Sequence, residues 1–440
     1  MDEDAPARPA PIHARDWRWL TREAEGWARD GVIDEAQRGR IVARYRVDTR
    51  AAERRGVVVL TSLAVLAGAI AVLLLVGYNW DAMSRTAKVA IIFTAVAAAF
   101  TASAIAYARE HHTAGELLAF AGTLLYGNAI WLLAQVFHIS SHYPNGALWW
   151  MIGALATAHL LRSRLIGLEA IAVLFVWLLM ETSWFAHPNY LFLPFGAAAV
   201  WLAYRVESAW VLALSALTVT TWIVTSAGFG MDAGRVSVGL GALTGCAFYA
   251  AGTRHAADSL FRRTWHGVGL LVLAAFLVPL MVNDLHEPES VRVATVWPIA
   301  IATLGLAALV AHTALVVDRA RDDAAIWIAG AMSAGWIAVQ LTAPEMIGAD
   351  GVAWLLMIAF SAVTLLAGVS LMRSGMRLES GRLFAAGVGY VLLFLLVRWI
   401  DLLGSMLWSA LFLIAAAGAL LGMARWWRAR PHAIEPVEVR

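Results

Sequence analysis

Cysteine is nearly missing: Cys246 is the single one in 440 residues, which excludes an intrachain disulfide and any CxxC metal site. Lysine is as scarce, with Lys88 alone among 33 basic residues and arginine supplying the other 32. Charged residues make up only 15% and the net charge is +2, so nothing electrostatic suggests nucleic-acid binding. Also missing are a GxxxxGK[ST] phosphate loop, an HExxH zinc helix, a GxSxG nucleophile elbow and a Cys/His cluster. No catalytic residue, metal or cofactor is therefore assigned, and an enzyme is not expected. The first 55 residues are charged and lack an apolar stretch, so no cleavable signal peptide is expected and the first span should serve as an uncleaved anchor.

What the chain has instead is apolar length. Hydrophobic residues reach 61% and mean hydropathy is +0.69, the range of polytopic membrane proteins, so the lipid bilayer is the first partner. Apolar runs between charged or turn-rich breaks predict about fourteen helices, beginning near positions 56, 87, 116, 147, 165, 189, 208, 236, 265, 293, 324, 351, 383 and 403. The runs near 147 and 383 are short, so twelve or thirteen is also open. Residues 117–161 carry no charge over 45 positions and must fold back once, with Pro144-Asn145-Gly146 as the turn signal. The expected class is all-α, a polytopic transmembrane helix bundle of about 14 spans with both termini cytoplasmic and a short N-terminal helical hairpin. Orientation follows from arginine placement: twelve basic residues fall in the expected inner loops and five in the outer ones.

The expected divisions are a cytoplasmic hairpin and linker at 1–55, a transmembrane domain at 56–424 and a basic cytoplasmic tail at 425–440. In the hairpin, Trp17, Leu20, Ala24 and Trp27 repeat at helical spacing, Gly31 breaks the helix, and Asp34 with Gln37 has the spacing of a capping box. About 33 residues bury little core alone, so residues 14–46 are expected to dock on the membrane domain, a second copy or a protein partner. Ser237-x3-Gly241-x3-Gly245 and Gly418-x3-Gly422 read as close-packing seams. Trp80, Trp149, Trp150, Trp184, Trp265, Trp426 and Trp427 read as an aromatic belt at span ends.

Four segments together carry a family resemblance: GVIDEAQRGRIVARY at 31–45, GYNWDAMS at 77–84, YGNAIWLLAQVFHISSHYPNG at 126–146 and RWIDLLGS at 398–405. With them the chain resembles a bacterial family of predicted membrane proteins of unknown function, DUF2157, most strongly over the first 160 residues or so. The resemblance implies a multi-spanning inner-membrane protein with a cytoplasmic helical head, and brings no activity or site residue with it.

The third of these segments is the one with polar chemistry. At 100° per residue, Asn128, Trp131, Gln135, His138 and His142 fall within an arc of about 80°, with Asn128 near mid-membrane. A polar stripe facing lipid is costly, so it is expected to face other helices or a wet cavity. Four readings are open: interhelical hydrogen bonding, a solute or ion path from the outer face with Trp131 as a stacking surface, a metal held by His138 and His142, and intramembrane catalysis. Candidate outer-face contacts are Asn79, Asp81, Arg398 and Asp401, the last two at a spacing that pairs them with each other. Nine acids against five bases make the expected outer surface mildly acidic. Glu169, one turn inside a span, either snorkels toward Arg162 or Arg164 or stays neutral. The two functional classes left are a transporter-like solute or ion binder and a non-catalytic scaffold or sensor acting through the hairpin; the solute itself is unknown.

Overall fold

The computed structural model describes residues 10–12, 14–47, 82–139, 142–185, 188–256, 258–282, 285–316, 323–347, 349 and 351–401. The expected first and last spans, the tail at 425–440, the Gly418 seam, Asn79, Asp81, Trp80, Trp426, Trp427 and the Asp401 side chain lie outside them. Two compact units divide the chain, residues 1–88 and 89–440.

In the first unit, α1 (Ala14–Arg29) and α2 (Glu35–Ala43) form the expected hairpin, joined by a short parallel ladder of β1 (Ala10–Ile12) with β2 (Tyr45–Val47). The purely α expectation did not include that ladder. α1 ends in a Schellman motif: the Val32 N–H donates to the Trp27 carbonyl at 2.9 Å and the Gly31 N–H to Ala28 at 3.3 Å. Gly31 takes the left-handed position with φ +73°, where a residue without Cβ suffers no strain. The capping box is present in both directions, Gln37 N–H to Asp34 Oδ1 at 2.6 Å and Asp34 N–H to Gln37 Oε1 at 2.8 Å. Ala24 is buried while Trp19 is 54% and Val32 70% exposed, so this small unit keeps apolar surface uncovered.

The second helical set comprises α3 (Arg85–Ala108), α4 (His112–Val136), α5 (Asn145–Leu161), α6 (Arg164–Phe185), α7 (Phe192–Arg205) and α8 (Ala209–Thr225). After a π-helical turn, Ser226–Gly230, come α9 (Gly234–Thr253), α10 (Leu260–Leu280), α11 (Val293–Val316), α12 (Ala324–Thr342), α13 (Val352–Arg377) and α14 (Gly381–Asp401). These twelve sit at the second to thirteenth of the expected starts. Among the described residues, ten helices are long and apolar enough to cross a membrane; α5, of 17 residues, and α7, of 14, are shorter than that.

Two apolar cores share the load. One joins α4 to α8 around Met151, Ile171, Leu174, Trp177 and Leu212, and the other joins α9 to α14 around Leu243, Leu273, Ile326 and Phe360. The small-residue seam does what its spacing predicts. Gly245 lies against the backbone of Leu273 and the carbonyl of Gly269, so any Cβ there would collide with main chain and force α9 and α10 apart. Many hydroxyls are satisfied inside their own helices, as when Thr220 donates to Ala216 and Ser361 to Met357.

Several of the charged residues expected at helix ends staple loops together. Glu289 accepts from the first N–H groups of α9, those of Arg235 at 3.0 Å and Val236 at 2.9 Å, where the helix dipole favours an anion. Arg235 pairs with Glu287, Arg292 with Asp232 at 3.2 Å, and buried Gln340 donates to the Glu287 carbonyl. His286 stands within this group, stacked on Phe360 and donating to the Leu280 carbonyl at 2.8 Å; burial holds its imidazole below the ordinary histidine range, partly opposed by that hydrogen bond. Arg398 donates to the Met281 carbonyl, which gives this arginine an interhelical partner.

Candidate functional site

The segment at 126–146 forms the hairpin of α4 and α5, and its packing is a set of rings seated on glycines. Trp150 of α5 lies over Gly127 of α4, Tyr126 of α4 over Gly153 of α5, and Trp131 of α4 over Gly146 of α5. On the other side of α4, Tyr107 and Phe100 of α3 cover Gly115 and Gly122. Each glycine removes a side chain where an aromatic face needs room, so the two backbones approach and the rings fill the gap. The residues that hold α4 in place are thus Gly115, Gly122, Gly127 and the rings on them.

The polar stripe is reorganised by this packing. Asn128 is exposed, and its amide donates to the Leu124 carbonyl of its own helix at 2.9 Å, so among the described residues it joins no neighbouring helix. The 100° spacing ends at Phe137. His138 takes the left-handed conformation, φ +53°, with the Ile139 N–H bonded to Ala134 at 2.9 Å and its own N–H to Gln135 at 3.3 Å. This is the motif that closes α1, with histidine in the glycine position. The chain turns away there, so His138 and His142 do not stand one turn apart on a helix, which is the spacing the metal reading rested on. α5 begins at Asn145, after Pro144, so the expected turn signal marks its first turn.

Three stripe residues do come together. Trp131, Gln135 and His142 line a cleft of about 590 Å³ with Tyr143, Asn145 and Trp149; Asn128, two residues before Ile130, where the α4 lining begins, is not part of it. Rings dominate its rim: Trp131 and Tyr143 stand 4.6 Å apart between centroids, and Tyr143 and Trp184 6.0 Å. His142 is fixed from behind. Its Nε2 lies 2.9 Å from Glu181 Oε1, a carboxylate 39 residues away on α6 whose side chain is only 8% exposed, and its ring packs on Phe185 at 4.2 Å. Such a partner sets the ring orientation and leaves Nδ1 as the nitrogen not engaged by Glu181. Among the described residues, no arginine or lysine lines the cleft.

Glu169 lies in the same helix trio. Ser163, at the start of α6, donates to Glu116 of α4 at 2.6 Å, which sets α6 about one turn deeper than α4. Glu169 therefore stands level with Thr123, twelfth of the 25 residues of α4, near its middle. It is 9% exposed and reaches neither arginine expected for it: Arg164 donates to the Val206 carbonyl at 2.9 Å. Its partners are the Thr123 hydroxyl at 2.5 Å and the Trp150 indole N–H at 2.9 Å. Trp150 is thereby an internal hydrogen-bond donor, and buried Trp265, which donates to the Tyr204 hydroxyl at 2.7 Å, is likewise no belt residue. Trp149 and Trp184 are exposed, as a belt requires.

With this geometry in hand, comparison identifies the class. Residues 25–167 match a protein-family model described as Predicted membrane protein (DUF2157). This is a membrane protein with multiple apolar helices, and the resemblance read from the motifs is borne out over that segment. It contains α2 to α5, every ring-on-glycine seat described above and the first turn of α6, and it ends two residues before Glu169. No curated protein and no solved structure matches the chain.

Proposed function

We propose that this is a transporter-like protein of the bacterial inner membrane, with fourteen spans and both termini in the cytoplasm, that binds a small solute in the cleft of Trp131, Gln135 and His142. The arginine distribution supports an orientation in which this cleft opens to the outer face. The observation that carries the reading is the make-up of the cleft. Apolar rings line a volume of small-molecule size, a few hydrogen-bonding groups converge on it, and one of them is a histidine held in place by a buried carboxylate. Aromatic faces, with no basic side chain among the described lining residues, favour a neutral or cationic solute over an anionic one. The test is tryptophan fluorescence and thermal stability of the purified protein against a panel of small organic cations, neutral metabolites and anions. A saturable response to a member of the first two classes, lost in Gln135→Ala/His142→Ala with folded yield retained, supports the site. Responses that are absent, or equal in that variant, sink it.

A second reading rests on the N-terminal hairpin, whose Trp19 and Val32 remain exposed. That surface supports a role for residues 14–46 in binding a protein partner or a second copy. Deleting residues 1–50 with no change in oligomeric state or co-purifying proteins would dismiss it.

A further inference from the structure

Glu169, the sixth residue of α6, stands level with the middle of α4 and, among the described residues, meets only neutral groups. The Thr123 oxygen lies 2.5 Å from Glu169 Oε2 and 2.8 Å from the Phe120 carbonyl. A hydroxyl has one hydrogen. If Oε2 is ionised, Thr123 faces two acceptors with one proton to give, and the carboxylate lies buried without a counter-charge. If Oε2 carries a proton, the chain closes: Glu169 donates to Thr123, Thr123 donates to Phe120, and the Trp150 N–H donates to Oε1. Every donor then has one acceptor.

Most of the ionisable groups on the described helices packed around Glu169 are engaged elsewhere, and Arg162, at the C-cap of α5, is exposed. Glu116 accepts from Ser163, Tyr126 donates to the Trp149 carbonyl, and His159 bonds to the Ala198 carbonyl. Arg164 is held by Val206, and Arg205 lies over the Trp201 ring. An acid in a membrane-spanning segment without a base is retained at a cost, which marks it as a working group.

We propose that Glu169 is a proton-binding site: a carboxylic acid that holds a proton in this conformation and exchanges it with water when the start of α5 shifts. Trp150, which fixes Oε1, adjoins Trp149 of the cleft, so movement of that turn opens the closed chain. The proposal goes beyond the solute reading and does not need it.

The experiment is infrared difference spectroscopy of the full-length protein in lipid nanodiscs, wild type against Glu169→Gln, in H2O and in D2O. A protonated-carboxyl C=O band is expected in the wild type, absent from Glu169→Gln, kept in Glu116→Gln and Glu181→Gln, and shifted down in D2O. No difference between wild type and Glu169→Gln in that region means an ionised group and overturns the proposal. A band that ignores D2O means a sealed acid and overturns the exchange. Should Glu169→Gln not fold, Thr123→Val keeps the carboxyl and removes its acceptor: the band should move to higher frequency, and an unmoved band refutes the assignment. Loss or survival of solute binding in the cleft leaves these outcomes as they are.

Discussion

Replacing Gly127 by alanine adds one methyl group inside the indole of Trp150, the tightest of the ring-on-glycine seats between α4 and α5. Three effects compete. Alanine is the better helix former by about 1 kcal/mol, which favours the variant. Against it, overpacking a filled core costs about 1–3 kcal/mol, because the indole cannot retreat without shifting α5. Moving the indole also withdraws its N–H from Glu169, and a buried acceptor losing a donor costs a further ~1–3 kcal/mol. The net expectation is a destabilisation of about 1–5 kcal/mol. Reversible unfolding of the purified protein in mixed micelles, followed by tryptophan fluorescence and circular dichroism, measures it. A Gly127→Ala variant as stable as the wild type, or more so, would refute the packing account. A double-mutant cycle sharpens the test: in a Trp150→Ala background the same methyl fills space and should be neutral or stabilising, a reversal of sign that only direct contact produces.

Other outcomes follow from the same geometry. Asn128→Leu and Gln135→Leu, on exposed positions, should leave unfolding free energy within about 0.5 kcal/mol, and a large loss would restore the interhelical role these amides do not show among the described residues. His138→Gly should stabilise by about 1 kcal/mol, read as a raised melting temperature, since it relieves a left-handed residue. His286 gives a pH dependence. Its folded-state affinity for protons is depressed by burial, so the unfolded chain binds the extra proton first; its contribution is intact above about pH 6.5 and is lost as pH falls below that value. In His286→Gln, that part of the acid-side slope should disappear from a titration of unfolding free energy, and an unchanged slope would count against the assignment.

Helix positions were legible in the linear chain because hydropathy is local: a run of apolar residues between charges is a span wherever it stands, and twelve starts fell where expected. The hairpin break at Gly31 and the Asp34–Gln37 cap were legible for the same reason, since all their atoms lie within a few residues. Helical periodicity misled at 126–142. It carried a stripe through His138, where the backbone turns left-handed, and it made Asn128 and Gln135 prominent while the contacts were made by Gly127, Tyr126 and Trp131. Glu169 stood out as an acid in an apolar run, yet its depth and its partners were not readable. Composition and spacing by themselves determined that this chain is a bundle of apolar helices with a capped N-terminal hairpin. Only the tertiary structure decided that His142 meets Glu181 across 39 residues, and that Glu169 meets Thr123 across 46 and Trp150 across 19. Those pairs depend on which faces of α4, α5 and α6 turn toward one another, and that is set by where a ring finds a glycine.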